Sequence, residues 1–331
     1  MPTRRLDERA IIAMIRHMQN PPPAGYLGIG DDAAFVPGDS RGWLISQDML
    51  VENTHFRWDW AEPEQVGRKA AEVNLSDIAA MGGTPVAALT SLALPPDTPF
   101  ERVERLYRGL TEAFWTHGVV VLGGDTVGTR GAFVLDVTVI GFPSEQGAIC
   151  RHGIQPGDRI FVTGSLGLSY AGYQLLEHQS RWPGTSPEEA RALSAHLEPK
   201  ARVALGQALA PHVRTMTDVS DGLWAEVQDL MSDSGFGAEI WLDTLPILED
   251  TRLVAARFDA SPVNWALFGG EDYELMMTVP LEHVRALRQK AEGHGANVAE
   301  IGVITPAAGI RWLDHGQAVT VEGEGFNHFA H

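Results

Sequence analysis

Six short stretches of this chain set carboxylates beside glycines or hydroxyls. Gly28-Ile29-Gly30-Asp31-Asp32-Ala33 comes first. Ser46-Gln47-Asp48, Asn74-Leu75-Ser76-Asp77, Gly123-Gly124-Asp125-Thr126, Asp218-Val219-Ser220-Asp221-Gly222 and Gly269-Gly270-Glu271-Asp272 follow. Each alone is good turn material, and Asp31-Asp32 reads equally well as a solvated turn. The repetition is what points to chemistry. Clustered aspartates suit hard cations: Mg²⁺ takes oxygen ligands from a few carboxylates, water and substrate phosphates. Such ions around a polyphosphate stabilise charge at both ends of an in-line displacement. The common alternatives are missing from the sequence. There is no G-x-x-x-x-G-K-[ST] phosphate loop, and Lys69, Lys200 and Lys290 follow nothing like one. Protein-kinase signatures, an EF-hand loop and H-E-x-x-H are absent too. The residues alone therefore describe a Mg-dependent, phosphate-handling enzyme on a non-P-loop fold. A metal-stabilised binding protein is the other reading.

Composition narrows the class. A length of 331 residues suits two domains, and 44% hydrophobic with 21% charged residues gives an ordinary core. A net charge of −18 excludes a protein that grips nucleic acid or anionic membranes by charge. The single cysteine, Cys150, allows no intramolecular disulfide and no Cys-based zinc site. Residues 1–20 lack a signal-type apolar core, and no later run is long enough to span a bilayer. A soluble, cytoplasmic protein is expected.

Local patterns place the carboxylates. Leu6 to Met18 has helical spacing, stopped by Pro21-Pro22-Pro23. Trp43 to Leu50 reads as a strand with Ser46 and Asp48 on one face. Glu64 to Met81 reads as a helix, stopped by Gly82-Gly83, with Asn74 and Asp77 on one face and small residues alongside. An unpaired Asp77 among apolar neighbours would be costly. Val86 to Leu94 is a strand and Phe100 to Thr116 a helix. Val119 to Leu122 is a strand that empties into a Gly123-Gly124-Asp125 loop. Phe133 to Phe142 alternates cleanly as another strand. Pro143 to Gly153 has linker composition, so a domain boundary is expected there. Arg151 within it is either a surface arginine or a phosphate clamp. In the second half, Arg159 to Thr163, Met216 to Val219, Ala238 to Leu242 and Val298 to Ile304 read as strands. Ser220 and Asp221 stand where a helix N-cap would stand, a place that also favours bound anions. Both halves mix helices and strands in α+β fashion.

Taken together and in this order, the motifs resemble thiamine-monophosphate kinase, a family of the wider aminoimidazole-ribonucleotide-synthetase-like group. The matching stretches are Gly28 to Ala33, Ser46-Gln47-Asp48 with His55-Phe56, Val73 to Gly82, Gly123 to Thr126, Val219 to Leu223 and Gly269 to Leu275. The resemblance implies two α/β domains, at 1–145 and 146–331. The first carries the metal and nucleotide site and pairs its sheet across a homodimer. The second completes the nucleotide and substrate site. It implies a cytoplasmic transferase of thiamine biosynthesis that phosphorylates thiamine phosphate to thiamine diphosphate, the last step of that pathway, using ATP and several Mg²⁺ ions. Asp32, Ser46, Gln47, Asp48, Asp77, Asp125, Asp218 and Asp221 match metal positions. Tyr107, Gly124, Asp125, Arg151 and Ser220 match nucleotide positions, and His55, Glu271 and Phe326 match substrate positions. Gln47 stands where the family usually has Thr, and offers an oxygen from its side chain or backbone.

The implied acceptor is already a phosphate anion. Positioning and charge neutralisation should then dominate, with no dedicated base and no phospho-enzyme. Two other members of the group want a reactive cysteine, one near the N-terminus and one at the C-terminus. Cys150 is near neither, and the chain ends His328-Phe329-Ala330-His331.

Overall fold

Residue alternation builds the first sheet. A computed structural model describes residues 25–27, 31–38, 41–178, 181–232 and 234–323. The helix expected over Leu6 to Met18, the glycines Gly28 and Gly30, and Phe326 lie outside the described residues. The first half runs β1 (Ala34–Val36), β2 (Trp43–Val51), α1 (Pro63–Ala80), β3 (Thr84–Leu94), α2 (Phe100–Thr116), β4 (Val120–Gly128) and β5 (Val134–Phe142). The strands lie in the order β1-β2-β5-β3-β4. All neighbours are antiparallel except β3 and β4, which are parallel and joined through α2. Leu44, Ser46 and Leu50 of β2 and Leu135, Val137 and Val139 of β5 are buried on one face. On the other face Trp43, Met49 and Leu89 are exposed.

Helix α1 is the axis of the molecule. Pro63 starts it, and the Gln65 side chain accepts a hydrogen bond from the Glu62 N–H at 3.0 Å. Only Glu64, Arg68 and Asp77 of its residues are not buried. Glycine lets neighbours close in. A Cβ at Gly67 would stand 2.0 Å from the Leu106 carbonyl oxygen, and one at Gly109 equally close, 2.0 Å, to that of Glu64. The backbones of α1 and α2 therefore touch. The same device recurs in the second half, where a Cβ at Gly206 would meet the Ala79 carbonyl oxygen at 2.3 Å.

That second half runs β6 (Arg159–Thr163), α3 (Leu168–Glu177), α4 (Pro187–Leu197), α5 (Val203–Leu209), β7 (Thr215–Asp218), α6 (Leu223–Ser232) and β8 (Gly237–Trp241). It continues with α7 (Glu249–Arg257), α8 (Pro262–Phe268), β9 (Leu275–Val279), α9 (Val284–Gly293), β10 (Val298–Thr305), β11 (Gly309–Asp314) and β12 (Gln317–Val319). Its sheet has the order β12-β11-β8-β10-β6-β9-β7. One apolar core joins the halves, from Leu75 and Ala79 of α1 to Leu205, Leu209 and Met216. No helix among the described residues is long and apolar enough to cross a membrane.

Two expectations change. Gly123-Gly124-Asp125 is no loop: β4 continues through it, paired in parallel with Leu89-Thr90-Ser91. Gly124 permits this, because a Cβ there would lie 1.6 Å from the Thr90 carbonyl oxygen. The start of α6 is also not capped by Ser220 or Asp221. Gly222 holds that position at φ +89°, its carbonyl accepting from Ala225 N–H at 3.0 Å.

Candidate active site

The covered face of β2 and the last turns of α1 face each other, and the carboxylates meet there. Ser46 and Asp48 project from β2 toward the helix, as alternation requires. The Ser46 hydroxyl donates to the Asp77 carboxylate and, at 3.3 Å, to the Asp32 carbonyl. Asn74 fixes the strand against the helix: its side-chain oxygen accepts from the Asp48 N–H at 2.9 Å, and its amide donates to the Ala70 carbonyl at 2.9 Å. Two residues along, Ser76 points to the second half and donates to Asp218 at 2.6 Å. Asp218 ends β7, and its neighbour Thr217 donates to Asp32 at 2.9 Å. Asp32, Asp77 and Asp218 thus each bring a carboxylate oxygen to within 4.8 Å of the others.

Among the described residues this cluster holds more negative than positive charge. Burial, then the neighbouring Asp221, Asp136 and Asp32, pushes Asp48 up to about 6. Burial, then Asp48, Asp218 and Asp32, raises Asp77 well above the carboxylate range. Burial and Asp32 push Asp218 up to about 8, against the lowering effect of the Ser76 hydrogen bond. Among the described residues Arg151 stands against them. Arg151 donates to Asp32 from Nη2 at 2.5 Å and from Nε at 3.2 Å, and its backbone N–H reaches Asp31 at 2.6 Å. Glu226 supports the arginine at 3.7 Å and is itself raised by burial. The donors are carboxylate and hydroxyl oxygens, a hard set with unpaid charge, and they fit Mg²⁺.

A second carboxylate group lies at the other end of α1. Gly270, Glu271 and Tyr273 all have positive φ, at 68°, 56° and 51°. This costly backbone is held by hydrogen bonds from Glu271 N–H to the Ser220 carbonyl at 2.5 Å and from Tyr273 N–H to that of Val219 at 2.9 Å. The Glu271 carboxylate meets Lys69 Nζ at 2.9 Å and His196 Nδ1 at 3.1 Å. Burial alone would raise it, but Lys69 and His196 more than reverse that, so its pKa is lowered. Asp272 accepts the Gly167 N–H at 2.7 Å and so caps α3. Glu274 is held by Thr163 at 2.5 Å and by the Arg202 guanidinium.

Six of the eight sequence-derived metal positions share the covered side: Asp32, Ser46, Asp48, Asp77, Asp218 and Asp221, the last close enough to raise Asp48. The structure sets two apart. Gln47 projects from the open face of β2, where its amide donates to Asp136 at 2.7 Å. Its side chain is therefore on the wrong side of the strand, and its remaining offer to the cluster is the backbone carbonyl. Asp125 pairs in register with Ser91, which pairs with Asp136, so it too belongs to the open face. Its carboxylate accepts the Thr126 N–H at 2.8 Å. Tyr107 bonds Thr90 at 2.8 Å, beside Gly124. Ser220 lies in the loop between Asp218 and Asp221. His55 accepts the Val51 N–H on Nδ1 at 3.0 Å, which leaves the proton of a neutral ring on Nε2.

Sequence reading missed the supports: Ser76, Thr217, Glu226, Lys69 and His196. Ser76 had a signal, since a buried hydroxyl one residue from Asp77 must find a partner. Lys69 had one too, as the single lysine on a helix of small apolar residues. His196 had none.

Comparison with known proteins agrees over most of the chain. The models of the AIR synthase related protein family match its N-terminal domain at residues 30–142 and its C-terminal domain at 155–313. Thiamine-monophosphate kinase of Bacillus subtilis is 36% identical over 309 residues, 92% of this chain and 93% of that protein. Thiamine-monophosphate kinase of Escherichia coli K12 is 37% identical over 308 residues, 92% of each. Among solved structures, AaThiL complexed with AMPPCP and TMP superposes with a TM-score of 0.87 at 33% identity. It covers 99% of this chain and 100% of that one.

Proposed function

The chain belongs to the thiamine-monophosphate kinase family and is an ATP-dependent kinase of thiamine phosphate; we propose that it transfers the phosphoryl group directly and in line, with Mg²⁺ at the aspartate cluster. The observation that carries the proposal is the grouping of Asp32, Asp77 and Asp218 oxygens within 4.8 Å, with two of the three raised by burial and mutual repulsion. Bound Mg²⁺ would supply positive charge between these carboxylates and the phosphates. Asp32, Ser46, Asp48, Asp77, Asp218 and Asp221 would hold it, with the Gln47 carbonyl as a further oxygen. Ser76 and Thr217 fix the directions of the Asp218 and Asp32 carboxylates, and Asn74 holds the backbone of Asp48. Arg151 and Ser220 would contact the nucleotide phosphates, and His55 and Glu271 the thiamine phosphate; Phe326, outside the described residues, keeps the substrate role that the resemblance implies. The acceptor oxygen is already anionic, so no side chain need take a proton from it, and no base is assigned.

Two further readings belong to the same proposal. The boundary between domains 1–145 and 146–331 is supported by the stretch from Phe142 to Arg159, which carries no regular element among the described residues. The open sheet face pairs with a second copy. Its support is exposed apolar surface at Met49 (51%), Leu122 (66%) and Val127 (51%), together with the unpaired edge of β4. Pairing through that face would place Asp125, which shares it, at the contact between the copies, while Gly124 and Tyr107 stay with Thr90 on the covered side. A cytoplasmic setting is supported by ATP as co-substrate and by the single cysteine.

The test is purified protein with ATP, Mg²⁺ and thiamine phosphate, reading thiamine diphosphate, with free thiamine as control. Diphosphate from the monophosphate alone is the expected result. No diphosphate, while ATP and Mg²⁺ still bind, would move the substrate elsewhere in the family.

A further inference from the structure

Lys69 is a buried cation, its side chain 5% exposed, on the helix that also carries Asp77. A cation there needs a partner. It finds Glu271 in the other half of the molecule, at 2.9 Å to Oε1 and 3.0 Å to Oε2. His196 of α4 approaches Oε2 at 3.1 Å, with Ser169 Oγ at 3.3 Å from the same ring nitrogen. A carboxylate only accepts, so Nδ1 carries the proton and donates to Glu271. Oε2 is thus met from two sides, while Oε1 meets Lys69 alone among the described residues. The carboxylate is locked in rotation, with one oxygen left to read a donor.

Position says what that donor belongs to. Lys69 precedes Asp77 by two turns of α1, about 12 Å along the axis at the usual rise. The phosphate-handling cluster is at one end of this span and Glu271 at the other. An aromatic wall stands beside it. Tyr173 is 5.8 Å from the His196 ring, 5.5 Å from Tyr170 and 6.0 Å from Trp60, centroid to centroid. A flat heterocycle bearing an amine or a positive charge suits such a wall with a fixed carboxylate in it. That is the chemistry of the end of thiamine phosphate remote from its phosphate.

We propose that Lys69 and His196 are positioning residues that orient Glu271 toward the heterocyclic end of the substrate, and so set affinity for thiamine phosphate without touching the phosphoryl-transfer step. This rests on the kinase reading above. Turnover of thiamine phosphate by the unaltered protein tests that reading independently, and only the variants test the present one.

The experiment measures kcat and both KM values for the unaltered protein, Lys69→Met, Glu271→Gln, their double variant, His196→Asn and His196→Ala. Lys69→Met should raise KM for thiamine phosphate on the order of tenfold, equal to about 1.4 kcal/mol. KM for ATP should move less than about twofold on that scale. If Lys69 acts through Glu271, the double variant should match Glu271→Gln alone. Asn places a donor where Nδ1 stood, so His196→Asn should stay close to the unaltered protein while His196→Ala follows Lys69→Met. Equal shifts in both KM values, multiplying effects in the double variant, or identical behaviour of His196→Asn and His196→Ala would each overturn the proposal. Should Lys69→Met fail to fold, the two His196 variants still decide it.

Discussion

Helix α1 separates two groups of carboxylates that buried charge treats in opposite ways. Toward its C-terminal end, Asp48, Asp77 and Asp218 are all pushed up, because burial and like charges act together. Toward its N-terminal end, Glu271 is partly buried yet lowered, because Lys69 and His196 outweigh its burial. Among the described residues the first group meets Arg151 alone for several aspartates, and suits cations from outside. The second is balanced from within and is built to hold a shape. Acidic residues along one helix therefore do different work according to whether their counter-charge is close at hand in the chain.

The largest effect should come from breaking the unbalanced side. Asp77→Asn or Asp48→Asn should lower kcat on the order of a hundredfold or more, as the loss of a preorganised charge-stabilising group does. The metal-free variant should melt no lower than the unaltered protein, since like-charge repulsion is relieved. Turnover near normal at saturating Mg²⁺ would remove Asp77 or Asp48 from the site. On the balanced side the sign reverses. Lys69→Met should cost about 2–3 kcal/mol of stability in urea unfolding, because it leaves a partly buried carboxylate with His196 as its remaining described partner. A loss under about 1 kcal/mol would mean that the pair is solvated like a surface pair.

A smaller effect should follow from moving the helix that serves both groups. Gly67→Ala drives a Cβ into the Leu106 carbonyl, 2.0 Å away in the present backbone. A cost of about 1–3 kcal/mol is expected from overpacking, with substrate and metal affinity both weakened. An unchanged midpoint would show that α1 and α2 can part without loss.

The smallest effect is in pH. Burial and then Lys69 lower the pKa of His196 below its ordinary 6.5. The unfolded chain therefore takes up this proton first as pH falls, and stability present above about 6.5 declines below it. His196→Asn should flatten the fall in urea midpoint between about pH 6.5 and the lower folded value. An unaltered slope would mean that His196 takes up its proton equally in the folded and unfolded chains.

Much of the unbalanced group was legible in the sequence. Ser46 and Asp48 follow from strand alternation, and Asp77 from a carboxylate on an apolar helix. Both need only local periodicity. The balanced group was not legible, because Lys69 and Glu271 lie 202 residues apart and His196 comes from a third element. The two sheet faces were hidden for a related reason. Gly123-Gly124-Asp125 has loop composition, and only pairing with β3 shows that it is strand and that Asp125 faces away from Asp48. Helices α7 and α8 went unread because nine and seven residues give too little periodicity to count.

The most direct test of the central claim counts the cations. Mn²⁺, standing in for Mg²⁺, can be titrated into the protein with a non-hydrolysable ATP analogue and followed by electron paramagnetic resonance. The account predicts that Asp218→Asn binds fewer ions, or binds them more weakly, than the unaltered protein, while Glu271→Gln binds them as the unaltered protein does. Undiminished Mn²⁺ binding in Asp218→Asn would contradict it, and the cluster at the end of α1 would no longer be the metal site.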